Sequence, residues 1–369
     1  MYIEPFGVEM WMNRYETKCR FNLAETCVAS LTLDELLALA GVDDPLGPLR
    51  GRALTYGDIT GSPKLRDLIA GLFAHQTAQN VLTTHGTIGA NALVYQALVS
   101  AGDVVASVVP TYQQHVSIPQ SIGAQLRQVP LRAEDHYQLD IDALAQAAKG
   151  ARLISVVNPN NPTGAVLDLD QMQQVVAIAA NNDAYLLADE VYRGTHQTED
   201  TSPSFADLYP KALSTGSMSK AFALAGLRLG WIVGPPDVLE AAERHRDYTT
   251  ISVGMIDDHF ATLALGVADK ILDRSRRIVR TNHAIVSDWI ATQNAVTWVP
   301  PKGGTTALVH FANGGSSYAL AESLLAETGV LVTPGSAIGA EGTLRLGYAN
   351  HPDVLLAGLG PLGDFLARQ

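Results

Sequence analysis

The chain has 369 residues, 47% of them hydrophobic and 17% charged, enough apolar mass for one large domain or two. Its net charge of −12, from 37 acidic and 25 basic residues, argues against a nucleic-acid surface, and no apolar run reaches the length of a membrane span. The two cysteines, Cys19 and Cys27, are too few for a disulfide framework, neither they nor the ten histidines show metal-site spacing, and the start Met1-Tyr2-Ile3-Glu4-Pro5 lacks the regions of a signal peptide, so a cytoplasmic protein without a metal is expected.

Val8, Trp11, Met12 and Tyr15 fall at i, i+3, i+4 and i+7, which predicts a short amphipathic helix within 8–20. A second helix is expected from Ser30 to Leu39, with Thr32-Leu33-Asp34-Glu35 as cap and acidic first turn. From about residue 65, helices (65–74, 89–99, 171–180) alternate with apolar strands (104–109, 153–157, 184–188, 212–215). Near-continuous apolar strands between helices predict a mostly parallel sheet covered on both faces. After about residue 235 come a long helix through Asp257–Ile278 and beyond, then shorter strands at 296–299, 306–311, 330–332 and 343–348. The expected architecture is α/β: a large domain over 30–245, with a lid segment over 1–29 and a small α+β domain over 246–369.

Polar residues stand where the predicted strands end, the place where open α/β sheets gather ligands. Lys220 is the most informative. It lies in Ser217-Met218-Ser219-Lys220, with Arg228 eight positions later. Lysine is the side chain whose amine can be deprotonated by its surroundings and condense with an aldehyde. The flanking hydroxyls and the guanidinium suit a phosphate. Pyridoxal 5′-phosphate (PLP) carries both groups.

Three further motifs accompany it in order: Gly86-Thr87 before a helix, Asn161-Pro162-Thr163-Gly164, and Asp189-Glu190-Val191-Tyr192, with Gly226-Leu227-Arg228 after the lysine. Together they resemble the fold-type-I PLP-dependent enzymes, the aspartate-aminotransferase superfamily, from about Leu54 to Tyr348. The resemblance implies that Lys220 is the catalytic, cofactor-bearing lysine. It implies that Asp189 pairs with the cofactor's ring nitrogen, that Tyr192 and Asn161 bond its phenolic oxygen, and that Tyr112 stacks on the ring. Gly86, Thr87, Ser217 and Arg228 would form the phosphate cup. Tyr56, in Tyr56-x4-Gly61-x3-Leu65-Arg66, matches a tyrosine supplied by a second subunit, which implies a homodimer with shared sites. Arg345, in Thr343-Leu344-Arg345-Leu346-Gly347-Tyr348, matches the clamp for a substrate's α-carboxylate. Taken singly, Asp189 also reads as a helix cap, Asn161 as a turn residue and Tyr112 as a core tyrosine.

The N-terminal region departs from a plain aminotransferase. Phe21-Asn22-Leu23-Ala24-Glu25-Thr26-Cys27 stands where the family places a glycine-rich strip over the substrate, and Glu9 and Glu16 flank it on the predicted helix. Asp58 lies where a partner's loop would approach. Carboxylates there favour a guanidinium or ammonium tail, so Glu9 and Asp58, with Glu25 and Thr26, are candidate substrate contacts; solvated acidic residues are the plain alternative. His85 and His115 lie near the cofactor face by sequence but read as satisfied polar residues. The arrangement resembles a branch similar to capreomycidine-synthase-type cyclases, which act on hydroxylated arginines. The expected activity is dehydration and guanidine ring closure of a cationic amino acid. Transamination to a 2-oxo acid and C–S β-lysis are the alternatives.

Overall fold

The computed structural model describes residues 2–199, 201–312 and 314–369. Its centre is a seven-stranded sheet in the order Val81–Thr84, Gly230–Val233, Ala212–Ser217, Tyr185–Asp189, Ala151–Val157, Val104–Val109, Gln125–Pro130. Gly230–Val233 runs antiparallel to both its neighbours and the other pairs are parallel. Successive strand residues point to opposite faces. Val105, Leu153, Leu187, Leu213 and Ile232 therefore pack beneath helices Gly86–Leu98 and Pro236–Arg246. Ala106, Ile154, Leu186 and Ala188 pack with Met172, Val175 and Leu144 of the helices on the other face. This is the aspartate-aminotransferase-like arrangement expected of the sequence.

A smaller antiparallel sheet has the order Thr333–Pro334, Thr343–Gly347, Thr306–Phe311, Val296–Trp298. Phe21–Asn22 pairs in parallel with Val330–Leu331. The strip after it lies flat on the strand Thr343–Gly347, whose Gly347 N–H donates to Leu23 O at 2.7 Å. A Cβ at Gly347 would stand 1.8 Å from Glu25 O, so only glycine admits this approach.

Several boundaries differ from expectation. The first helix is Gly7–Tyr15, followed by a 3₁₀ turn at Glu16–Lys18 and the strand at 21. The helix expected over 65–74 is Pro63–Ala70, started by proline on a Ser62 cap, and that expected at 89 begins at Gly86. The long helix is two, Met255–Leu265 and Ala268–Ala291. Gly266 is a poor helix former and Val267 (φ −128°) leaves helical geometry. No helix among the described residues is long and apolar enough to cross a membrane.

Candidate active site

The parallel strands present their carboxyl ends along one edge of the sheet, and a cavity of about 310 Å³ opens there. The turn after Thr84 brings Gly86 and Thr87, and the strand ending at Val109 brings Tyr112. Val157 leads to Asn161, Asp189 closes its own strand, and Ser217 closes the next and starts the loop to Lys220. Of the sequence-predicted residues, Thr87, Tyr112, Asn161, Asp189, Tyr192, Ser217, Lys220, Arg228, Arg345, Glu9, Glu25 and Thr26 line this one cavity. Gly86 lies beside Arg228: a Cβ there would stand 3.0 Å from Arg228 Nη2, and its φ of +67° suits glycine. Tyr56 and Asp58 are exposed and line a separate concavity with Met255 and Asp258. A shared-site reading requires them to reach the cavity of a second copy.

At the cavity's floor Asp189 is held by three groups. Asn91 Nδ2 donates to Oδ2 at 2.8 Å, Val191 N–H donates to Oδ1 at 3.1 Å, and His115 Nε2 stands 3.5 Å from Oδ2. Thr215 Oγ1 in turn donates to Asn91 Oδ1 at 2.7 Å. His115 is thus satisfied, as its sequence reading expected, with Nδ1 between Tyr95 and Ser155, and it also backs the carboxylate. Asn91 and Thr215 were missed. The available signal was a buried-side amide one turn after Thr87 in a largely apolar helix.

Lys220 Nζ donates to Thr26 Oγ1 at 2.6 Å and lies 3.5 Å from Cys27 Sγ. Burial works against its charge, but Cys27, Tyr192, Glu25 and Tyr112 outweigh it and hold the amine above the ordinary lysine range, the opposite of the lowering that the sequence suggested. Burial pushes the Cys27 thiol up to about 11 and also raises Tyr192. Glu25 is held below the usual carboxylate range. Burial opposes this, and the Lys220 charge with the Cys27 and Thr26 N–H donors (2.8 and 2.6 Å) overcomes it. Tyr112 donates its hydroxyl to Glu9 Oε1 at 3.0 Å, and burial raises its pKa. Glu16 completes the acidic mouth. Glu16 is exposed at the rim, and its slight desolvation, then Glu25 and Glu9, push its pKa up against the pull of Lys220.

The residues present fit PLP. Thr87 Oγ1 is buried without a hydrogen-bond partner at the N-terminus of a 13-residue helix, next to Arg228 and Ser217, which is a place for a phosphate. Asp189 suits a protonated ring nitrogen, and Lys220 an aldehyde. Across the cavity, Arg345 is fully enclosed. It donates to Asn161 Oδ1 (3.3 Å), Thr333 Oγ1 (3.0 Å) and Ala24 O (3.4 Å), and its buried Nε is unpartnered, which fits an anionic ligand. No group of acidic, histidine or cysteine side chains among the described residues is arranged to hold a metal.

The chain is 32% identical to capreomycidine synthase of Streptomyces vinaceus over 98% of its length and 94% of that protein. Among solved structures, a PLP-dependent aminotransferase from Streptococcus suis superposes with a TM-score of 0.96 at 37% identity, over 100% of this chain and 99% of that one. The PLP-dependent cyclase OrfR superposes with a TM-score of 0.93 at 28% identity, over 100% and 98%. The model of the family "Aminotransferase class I and II" matches residues 49–359. The chain therefore belongs to the class I and II aminotransferases and is a fold-type-I, PLP-dependent enzyme.

Proposed function

We propose that this enzyme acts on a cationic, arginine-like amino acid hydroxylated on its side chain, and closes the guanidine into a ring with loss of water. The observation that carries this reading is the convergence of Glu9, Glu16 and Glu25 on the mouth of the cavity that also holds Lys220 and Arg345. The similarity to a capreomycidine synthase and to a PLP-dependent cyclase supports it.

Bound PLP supplies an electron sink that makes the substrate's Cα proton removable. Asp189 would hold the ring nitrogen, Tyr192 and Asn161 the phenolic oxygen, and Thr87, Gly86, Ser217 and Arg228 the phosphate. Lys220 Nζ takes up and returns the Cα proton, with Thr26 Oγ1 fixing the amine from the side. Arg345 clamps the α-carboxylate. Glu9, Glu16 and Glu25 hold the guanidinium and accept the proton it gives up as it attacks. Overall, the bond from a substrate carbon to its hydroxyl oxygen breaks, one C–N bond forms within the same molecule, and the hydroxyl leaves as water. No second substrate is consumed.

Transamination is the second reading, favoured by the 37% identity to a solved aminotransferase. It uses the same proton transfer at Cα and needs a 2-oxo acid. Incubating holoenzyme with β- or γ-hydroxyarginine and no oxo acid, and following mass, separates the two. A product lighter by one water supports cyclisation. Turnover only with pyruvate or 2-oxoglutarate overturns it.

A further inference from the structure

A second cavity, of about 390 Å³, lies beside the active site and falls in the size range of small-molecule sites. Its walls are mixed: Val108, Val156 and Val157 at the strand ends and Val299 opposite are apolar, and Gln138 and Gln171 are polar. Val157 also lines the active site, so the two cavities share a wall, with Asn160 facing one and Asn161 the other.

Its charge is one-sided. No carboxylate is among the residues that line it, and Lys302 stands at its edge. Lys302 is exposed, and its backbone is tied down, with its N–H on Gly164 O at 2.8 Å and its carbonyl accepting from Gln197 N at 3.0 Å. Its ammonium enters none of the ion pairs among the described residues. A cation beside a chamber with an apolar side complements a molecule with an anionic end and an apolar body.

One wall of the cavity is a tight turn. His136 and Tyr137 are consecutive non-glycine residues at φ +52° and +56°. The pair forms the centre of a tight turn with positive φ at both positions, closed by Gln138 N–H on Asp135 O at 3.0 Å. Here Tyr137 N–H donates to Arg132 O at 2.7 Å, and its hydroxyl lies 2.7 Å from His310 Nε2. That tie holds the phenol against the cavity wall.

We propose that this cavity is a second ligand site, for a small monocarboxylic acid with an aliphatic or aromatic body, its carboxylate on Lys302 and its body among the valines. This site is independent of which reaction the active site runs. The test uses holoenzyme treated with aminooxyacetate, so that the PLP site is blocked whatever its substrate. Calorimetric titration compares 4-phenylbutanoate with 4-phenylbutanamide and 4-phenylbutylamine. The acid is expected to bind about tenfold or more tightly than either analogue, and Lys302→Met to remove that preference while leaving the weak amide binding unchanged. Ala165→Phe, which fills the chamber, is expected to abolish binding with the cofactor's absorbance retained. Equal binding of acid and amide, unchanged acid binding in Lys302→Met, acid binding that survives Ala165→Phe, or no binding of the acid at millimolar concentration each overturns the proposal.

Discussion

At the scale of single residues, the three carboxylates at the cavity mouth differ in how they are held. Glu25 is fixed by two backbone N–H groups and Glu9 by the Tyr112 hydroxyl. Glu16 stands in the turn after the first helix, and slight desolvation together with Glu25 and Glu9 raises its pKa. A guanidinium bound among them would relieve that repulsion and draw the Glu16 pKa down. Binding then releases a proton wherever Glu16 is still protonated in the free enzyme. The sign follows: affinity for arginine rises with pH through and somewhat above the ordinary carboxylate range, near pH ~4.3, and levels off once Glu16 is ionised in the free enzyme. Glu16→Gln is expected to weaken arginine binding by roughly tenfold and to flatten this rise. Titration of holoenzyme with arginine at several pH values, followed by cofactor absorbance, measures both effects. The ratio of wild-type to variant affinity cancels the titration of arginine's own amine. Wild-type and variant curves that coincide, or aspartate binding as tightly as arginine, would remove the cationic pocket.

At the scale of elements, the helix Gly7–Tyr15 determines which way Glu9 faces and, through the turn that follows it, Glu16. Phe6, at its N-cap, offers no polar side chain, and Gly7 N–H instead donates to Gln113 Oε1 at 2.8 Å. Trp11 is buried and donates Nε1–H to Val332 O at 2.9 Å, Tyr15 bonds Glu322, and the Phe6 ring meets Tyr112 at 4.9 Å. Val8, Glu9, Met12 and Glu16 are then left facing the cavity. Trp11→Ala removes the largest anchor, a loss of about 3–5 kcal/mol for a buried tryptophan. The helix is expected to lose protection in hydrogen exchange and arginine affinity to fall, while PLP stays bound, since the cofactor-facing residues lie on other elements. Unchanged exchange across residues 7–15 would show that the helix is held by something else. The helix itself was legible, because its apolar residues repeat with the right period, and so were the parallel strands and the motifs at their ends. Its orientation was not, because the turn toward the cavity is set by Val332 and Glu322, more than 300 positions away. The edge strand Gln125–Pro130 was missed because its polar, partly exposed sequence carries no apolar run. Trp231-Ile232-Val233 is apolar, but nothing local marks its antiparallel direction. The Glu25–Cys27 strip was recognised as unusual, yet its contact with Lys220 depends on the close approach at Gly347, which no spacing reveals.

At the scale of the whole molecule, a single copy leaves a surface that a second copy would explain. Tyr56 is 66% exposed, Leu54 76% and Tyr248 93%, and Ile256 is exposed next to Met255, which shares a concavity with Tyr56. Ser252 Oγ bonds Tyr56 O at 3.0 Å, which ties the two apolar-rich segments together on one face. Exposed apolar residues grouped in this way mark an association surface. In a two-fold dimer the same face meets itself, so Tyr56 and Asp58 of one subunit can be brought to the Lys220 cavity of the other. The shared-site reading makes a quantitative statement about mixed dimers. Lys220→Ala removes the proton carrier, and Tyr56→Phe removes the phenol that the cavity would borrow on this reading. Each homodimer is expected to be impaired. After unfolding and refolding an equal mixture, about half the dimers are hybrids, and each hybrid holds one cavity with native Lys220 and native Tyr56, so activity is expected to return to about a quarter of wild type. If Tyr56 served the cavity of its own subunit, every site in the hybrid would carry one of the two lesions and no activity would return. Sedimentation of the refolded mixture shows whether dimers have formed, and the activity assay then decides between the two geometries.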